Sequence, residues 1–116
     1  MMSSIDKLPE DLRRDSRVLG ELGIKDRAWR WDQLEFVLAA LVGKGTVVLG
    51  GDVYEERGGR AVPTYDSWHC DREASEPFQR YAERSIKCAR DYLTAYRRPA
   101  NRSLLVSLIF AEERNL

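Results

Sequence analysis

The chain offers little for metal or redox chemistry. It has one histidine and two cysteines, Cys70 and Cys88, among 116 residues. A structural zinc site draws on four closely paired Cys or His ligands, and a disulfide framework on several cysteine pairs. Reduced thiols, no metal and no cofactor are therefore expected. Long apolar runs are also missing. The longest is Phe36 to Val42, and the run at Leu104-Leu105-Val106 reaches Phe110 only if Ser107 is admitted; both fall far short of the roughly 20 residues that span a bilayer. Met1-Met2-Ser3-Ser4-Ile5-Asp6-Lys7 has neither the basic start nor the apolar stretch of a secretion signal. These absences predict a cytoplasmic protein without membrane contact, its residues 1–5 forming a mobile tail. Net charge is absent too, since 19 basic and 19 acidic side chains cancel. A general nucleic-acid binder needs surplus Lys and Arg to release counterions, so nucleic acid is not an expected partner.

What is present suits a water-soluble globule. The chain is 43% hydrophobic and 33% charged, and its length fits one domain over residues 1–116, with one core and no room for two. Charge is unevenly spread: residues 1–44 carry 8 bases and 8 acids, residues 45–76 carry 3 and 7, and residues 77–116 carry 8 and 4. The middle is acidic and the end basic, which permits local steering of a partner.

Periodicity supplies the elements. Pro9-Glu10-Asp11 reads as a first helical turn, with Leu12, Leu19 and Leu22 near one face and Gly20 and Gly23 marking the end. A second helix is signalled by Asp32 as N-cap, Glu35 three residues on, and Trp31 placed to staple onto Phe36. Trp29 then covers the turn before it. Leu34, Val37, Leu38 and Leu41 give this helix one buried face, and Gly43 stops it. Thr46-Val47-Val48-Leu49 reads as a buried strand, and Gly50-Gly51 as a bulge or a close backbone approach. Asp52 to Arg57 and Arg60 to Tyr65 flank Gly58-Gly59, which predicts a hairpin, with Pro63 confining the returning strand to an edge or to short length. Ser75 as cap and Pro77 in the first turn open a long amphipathic helix of about 22 residues, closed by Arg97-Arg98-Pro99. Ser103 to Ala111 fits a central strand. The expected architecture is α+β: a small mixed or antiparallel sheet of three to four strands against two or three helices, one of them long.

The unusual residues concentrate between Gly50 and Asp71. A catalytic reading takes Cys70 as nucleophile, His69 as base, and Asp66 or Asp52 as orienting acid. Adjacent residues on an extended chain point to opposite sides, which works against a His69–Cys70 hydrogen bond. Gly50-Gly51 lacks the lysine and hydroxyl of a phosphate loop, and Asp52 with Asp66 is more often a pair of turn formers than a cation site. Trp68, after the turn-forming Asp66-Ser67, either closes the core edge or anchors a partner.

Leu49-Gly50-Gly51-Asp52-Val53-Tyr54, the glycine hairpin, and Thr64-Tyr65-Asp66-Ser67-Trp68 together resemble the signature of the bacterial immunity protein 40 family, small antidote proteins of polymorphic toxin systems. The likeness extends more loosely to Leu19–Ile24, to the Trp31–Leu41 helix and to the helix from Phe78 to Tyr96. His69-Cys70 departs from it, standing where aromatic residues are more typical. The resemblance implies an α+β fold and a non-catalytic protein that binds and neutralises a cognate toxin. Its candidate contacts here are Asp52, Tyr54, Glu55, Glu56, Tyr65, Asp66, Trp68, His69 and Asp71. The alternative is a small hydrolase or metal-dependent enzyme using Asp52, Asp66 and His69, which requires those three side chains to converge in one pocket.

Overall fold

A computed structural model describes residues 7–18 and 27–113. The fold is α+β. Among the described residues three α-helices, α1 (Glu10–Asp15), α2 (Leu34–Leu41) and α3 (Phe78–Ala95), accompany five strands, β1 (Arg17–Val18), β2 (Arg27–Arg30), β3 (Thr46–Arg57), β4 (Arg60–His69) and β5 (Ser103–Glu112). The strands form one antiparallel sheet in the order β1-β2-β5-β3-β4. The sheet exceeds the expected three to four strands because β1 and β2 are only two and four residues long. Segments that short show no alternation to read.

The apolar β5 occupies the centre, as its composition predicts, with β2 on one side and β3 on the other. Gly58 and Gly59 turn the β3–β4 hairpin with φ of 56° and 79°, the left-handed values that a two-residue hairpin loop requires. Pro63 sits on β4, an edge strand. Alternation along the strands sets apolar clusters on opposite faces of the sheet. Trp29, Val53 and Val106 meet Leu34, Val37, Leu38 and Leu41 of α2 and Ile86 and Ala89 of α3 in the main core. Their strand neighbours Ala28, Tyr54 and Leu105 point to the other face and cluster with Ala61. Each fully buried side chain of this size contributes about 1.5–3 kcal/mol of transfer free energy.

Helix boundaries depart from expectation in ways that tertiary contacts explain. α1 stops at Asp15, ahead of Gly20 and Gly23. Its last turn is closed by the Ser16 hydroxyl donating to the Arg13 carbonyl at 2.6 Å, and the chain extends at once to pair with β2. Leu19, Gly20, Leu22 and Gly23 lie outside the described residues. Trp29, expected to cover a turn, is instead fully buried on β2, and its indole N–H donates to the Leu12 carbonyl at 2.8 Å. Asp32 does not cap α2. Trp31–Gln33 form a 3-10 turn, no side chain caps the helix, and Phe36 is 67% exposed, beyond the reach of a staple. Trp31 packs on Tyr96, with ring centroids 5.2 Å apart, and under the Arg98 guanidinium at 5.4 Å.

α3 has 18 residues, about 27 Å of helix. Ser75 adopts a left-handed φ of 63° and Pro77 occupies the cap position, so Ser75 makes no cap. β4 pairs with β3 only from Gly50 onward, leaving Thr46–Leu49 without a strand on that side. The Ser85 hydroxyl of α3 accepts the Val48 N–H there at 2.9 Å, giving the exposed edge a buried partner. No helix among the described residues is long and apolar enough to cross a membrane.

Candidate functional site

The motif-bearing half of the β3–β4 hairpin is built around a bulge. Asp52 pairs with Ser67 and Tyr54 with Pro63, so Val53 alone stands opposite Thr64, Tyr65 and Asp66. The Thr64 hydroxyl fills the broken ladder, donating to the Val53 carbonyl at 2.8 Å and accepting the Asp66 N–H at 3.1 Å. Tyr65 takes the extra length with φ 69° and stands 91% exposed. An aromatic residue in left-handed backbone costs about 1–3 kcal/mol, and here that strain holds a large side chain in solvent. Asp66 beside it is exposed, and its carboxylate accepts the Tyr96 hydroxyl at 2.7 Å. Burial and then this bond push the Tyr96 phenol up from its ordinary pKa.

The glycines explain themselves in the same frame. Gly50 and Gly51 oppose His69 and Trp68. A Cβ at Gly51 would meet the Trp68 indole on one side and the Ser107 carbonyl oxygen at 2.6 Å on the other, and one at Gly50 would meet the Trp68 backbone carbonyl. Trp68 crosses Gly51 and stacks on Tyr92 of α3, centroids 4.8 Å apart and 26° between planes. Tyr92 leads to Tyr96, and Tyr96 to Trp31. The α3 tyrosines thus form a continuous aromatic row beneath the bulge.

The nine candidate contacts divide by environment. Tyr65, Asp66, His69 and Asp71 are exposed, Asp52 and Trp68 are half-buried, and Tyr54 is buried in the smaller cluster. Glu55 and Glu56 are not free, solvated acids. Glu55 is buried, hydrogen-bonded to Arg57 at 2.7 Å and to Arg102 at 3.1 Å, and these guanidiniums, Arg57 foremost, hold its carboxyl below the usual range. Glu56 is half-buried against Arg17 at 3.1 Å.

The residues of the catalytic alternative have other engagements. His69 ends β4 with its imidazole exposed, 3.8 Å from Asp71, and Asp66 is engaged by Tyr96. Among the described residues no three His, Cys, Asp or Glu side chains are grouped to hold a metal ion, so Asp52, Asp66 and His69 form no such set. Cys70 is buried, and that burial, followed by its contact with Cys88, pushes the thiol up to about 11. At neutral pH its resting form is therefore the protonated thiol. A depression of about 380 Å³ lies beside the bulge, lined by Asp66, Tyr92, Ala95, Tyr96 and Arg97. A groove of about 960 Å³ opens elsewhere, between the α2–β3 turn and α3.

One structural device had no sequence signal. Buried Glu76 receives two bonds from Arg84, at 2.8 and 2.7 Å, and accepts the Glu73 N–H at 3.0 Å, while Arg84 also donates to the Asp71 carbonyl at 2.6 Å. The guanidinium holds the Glu76 carboxyl down to about 2. This clamp fixes the loop from β4 into α3, and with it the exit of the candidate surface.

Comparison with curated proteins and with solved structures gives no match. A sequence model of the family described as immunity protein 40 matches residues 18–110. That span takes in β2 through β4, most of β5, the bulge, the glycine pair under Trp68 and the α3 aromatic row, and the chain belongs to the immunity protein 40 family.

Proposed function

We propose that this protein neutralises a cognate toxin of a bacterial polymorphic toxin system by binding it in the cytoplasm, without catalysis. Family membership over residues 18–110 is the observation that carries the reading. The local geometry agrees with a binding role: a bulge holds Tyr65 almost wholly in solvent beside Asp66, on a strand edge backed by Trp68, Tyr92 and Tyr96. Exposed aromatics on rigid supports are typical anchors of protein interfaces.

The proposed contact surface is the outer side of β4 and its exit loop, with Tyr65 as anchor and Asp66, His69 and Asp71 around it. Trp68 and Asp52 support it from beneath. Tyr54, Glu55 and Glu56 act through the fold, since each is buried or bound to an arginine. Asp66, Asp71 and Glu73 are exposed and steer a basic face on the toxin, which raises the association rate more than it lengthens the complex lifetime.

Co-expression with the toxin encoded beside this chain tests the reading. Growth rescue together with a complex that co-purifies is the expected result. Rescue with no complex at any concentration, or turnover of a substrate by this chain, overturns it.

A further inference from the structure

Cys70 and Cys88 come from different elements, one just past β4 and the other on α3, yet their sulfurs stand 3.3 Å apart. Neither position is loose. The Cys70 N–H donates to the Leu49 carbonyl at 2.8 Å and its own carbonyl accepts the Tyr81 hydroxyl at 2.6 Å. Cys88 lies one turn beyond Ser85, which α3 bonds to the β3 backbone. A disulfide needs the sulfurs at about 2.05 Å. The remaining shift is little more than an ångström, within the range of small side-chain rotations. The pair is also graded in access, for Cys70 is 4% exposed whereas Cys88 is half-buried.

We infer that Cys70 and Cys88 are a built modification site, at which a hydroperoxide closes an intramolecular disulfide between the exit of β4 and α3. The more accessible Cys88 reacts first: its thiolate sulfur attacks one peroxide oxygen, the O–O bond breaks, and hydroxide leaves to be protonated as water, giving the sulfenic acid. The Cys70 sulfur then attacks the Cys88 sulfur, the S–O bond breaks, and the Cys70 proton leaves with the hydroxyl as a second water. With hydrogen peroxide the balance is two thiols and one peroxide to one disulfide and two waters. The order follows from the environment, because burial keeps Cys70 protonated and shielded from the oxidant. The Arg84 guanidinium lies 3.3 Å from the Cys70 sulfur and stabilises negative charge as it develops there during the second step. Each partner residue is thus placed for one half of the reaction. The inference stands apart from toxin binding, since it needs only this chain.

The test oxidises the reduced full chain with hydrogen peroxide, quenches with iodoacetamide, and maps peptides by mass. Expected are loss of both free thiols in a monomer, a linked pair of peptides carrying Cys70 and Cys88, and full reversal by dithiothreitol. Closing an 18-residue separation should also raise the thermal midpoint of the oxidised protein by about 5 °C or more. In Cys70→Ala the sulfenic acid at Cys88 should become trappable by dimedone, and the midpoint should no longer rise on oxidation. Two intact, alkylatable thiols after peroxide, linkage only between chains, or over-oxidation of Cys88 with Cys70 still free would each overturn the inference. Because the mapping is done on the unmutated protein, a variant that fails to fold does not blunt it.

Discussion

Gly51 and Trp68 face each other across the β3–β4 ladder, and the Trp68 indole fills the volume into which a side chain at Gly51 would project. The family motif therefore joins two residues that serve one packing event: a strand without a side chain accepts a ring, and that ring stacks on Tyr92. Gly51→Ala should lower stability by roughly 1–3 kcal/mol through overpacking. Trp68→Leu alone should be destabilising as well. In the double variant part of the Gly51→Ala penalty should vanish, with a coupling of about 0.5–3 kcal/mol in a denaturant double-mutant cycle. Gly50→Ala should gain no such relief from Trp68→Leu, because its obstruction is the Trp68 backbone carbonyl. Additive effects at Gly51 would separate the two residues.

The Glu76–Arg84 clamp makes a pH prediction with a defined sign. The folded-state carboxyl is held down to about 2 from an ordinary value of 4.5, mainly by hydrogen bonding from Arg84. Between those values the unfolded chain binds more protons than the folded one, so stability falls as pH drops. The clamp's contribution is complete above about pH 4.5 and is lost as pH falls through about 2. Urea midpoints measured from pH 5 down to pH 2 should drop more steeply for the native chain than for Glu76→Gln. Parallel curves would show that Glu76 titrates normally.

Leu105 and Leu93 should differ in sensitivity. Leu105 is 3% exposed, in the smaller cluster with Ala28, Tyr54 and Ala61, so Leu105→Ala should cost about 2–5 kcal/mol by lost transfer and cavity formation. Leu93 only packs against the margin of the main core, and its replacement by Ala should cost less, on the order of 1–2 kcal/mol. Equilibrium denaturation of both variants checks the ranking. Equal losses would mean that the two clusters close the fold equally.

What the sequence made legible was whatever depended on near neighbours. The Gly58-Gly59 hairpin, the edge position of Pro63, the helical face of Leu34 to Leu41 and the central strand at 103–111 all rest on local turn chemistry or periodicity. The features it concealed depend on distant partners. Glu55 looked solvated because Arg102 lies 47 residues away, and Glu56 because Arg17 lies 39 away. β1 and β2 are arginine-containing strands too short for alternation. Even the bulge is hidden, for tyrosine has no preference for left-handed backbone. That conformation is supported by the Thr64 hydroxyl, bonded on both sides of the irregularity, and by the Tyr96 hydroxyl on Asp66.

The same bulge allows binding to be separated from folding at Tyr65. Glycine is at ease at φ 69°, so Tyr65→Gly relieves backbone strain while adding conformational entropy to the unfolded chain, and stability should stay within about 1 kcal/mol of the native protein. The ring itself is 91% exposed and supports little of the fold. If Tyr65 anchors the toxin, losing the ring should speed dissociation of the complex by about tenfold or more, with the association rate nearly unchanged. Asp66→Asn and Asp71→Asn together should do the reverse, slowing association and flattening its salt dependence while barely changing dissociation. The asparagine amide oxygen can still accept the Tyr96 hydroxyl, so the bulge keeps its tether. Charge reversal at Glu55 is the poorer experiment, because it opposes Arg57 and Arg102 and perturbs the hairpin itself. Stopped-flow association at low and moderate salt, with dissociation by competition, reads both arms. A folded Tyr65→Gly protein that binds the toxin with native kinetics would remove the bulge from the interface, while leaving toxin neutralisation by another face intact.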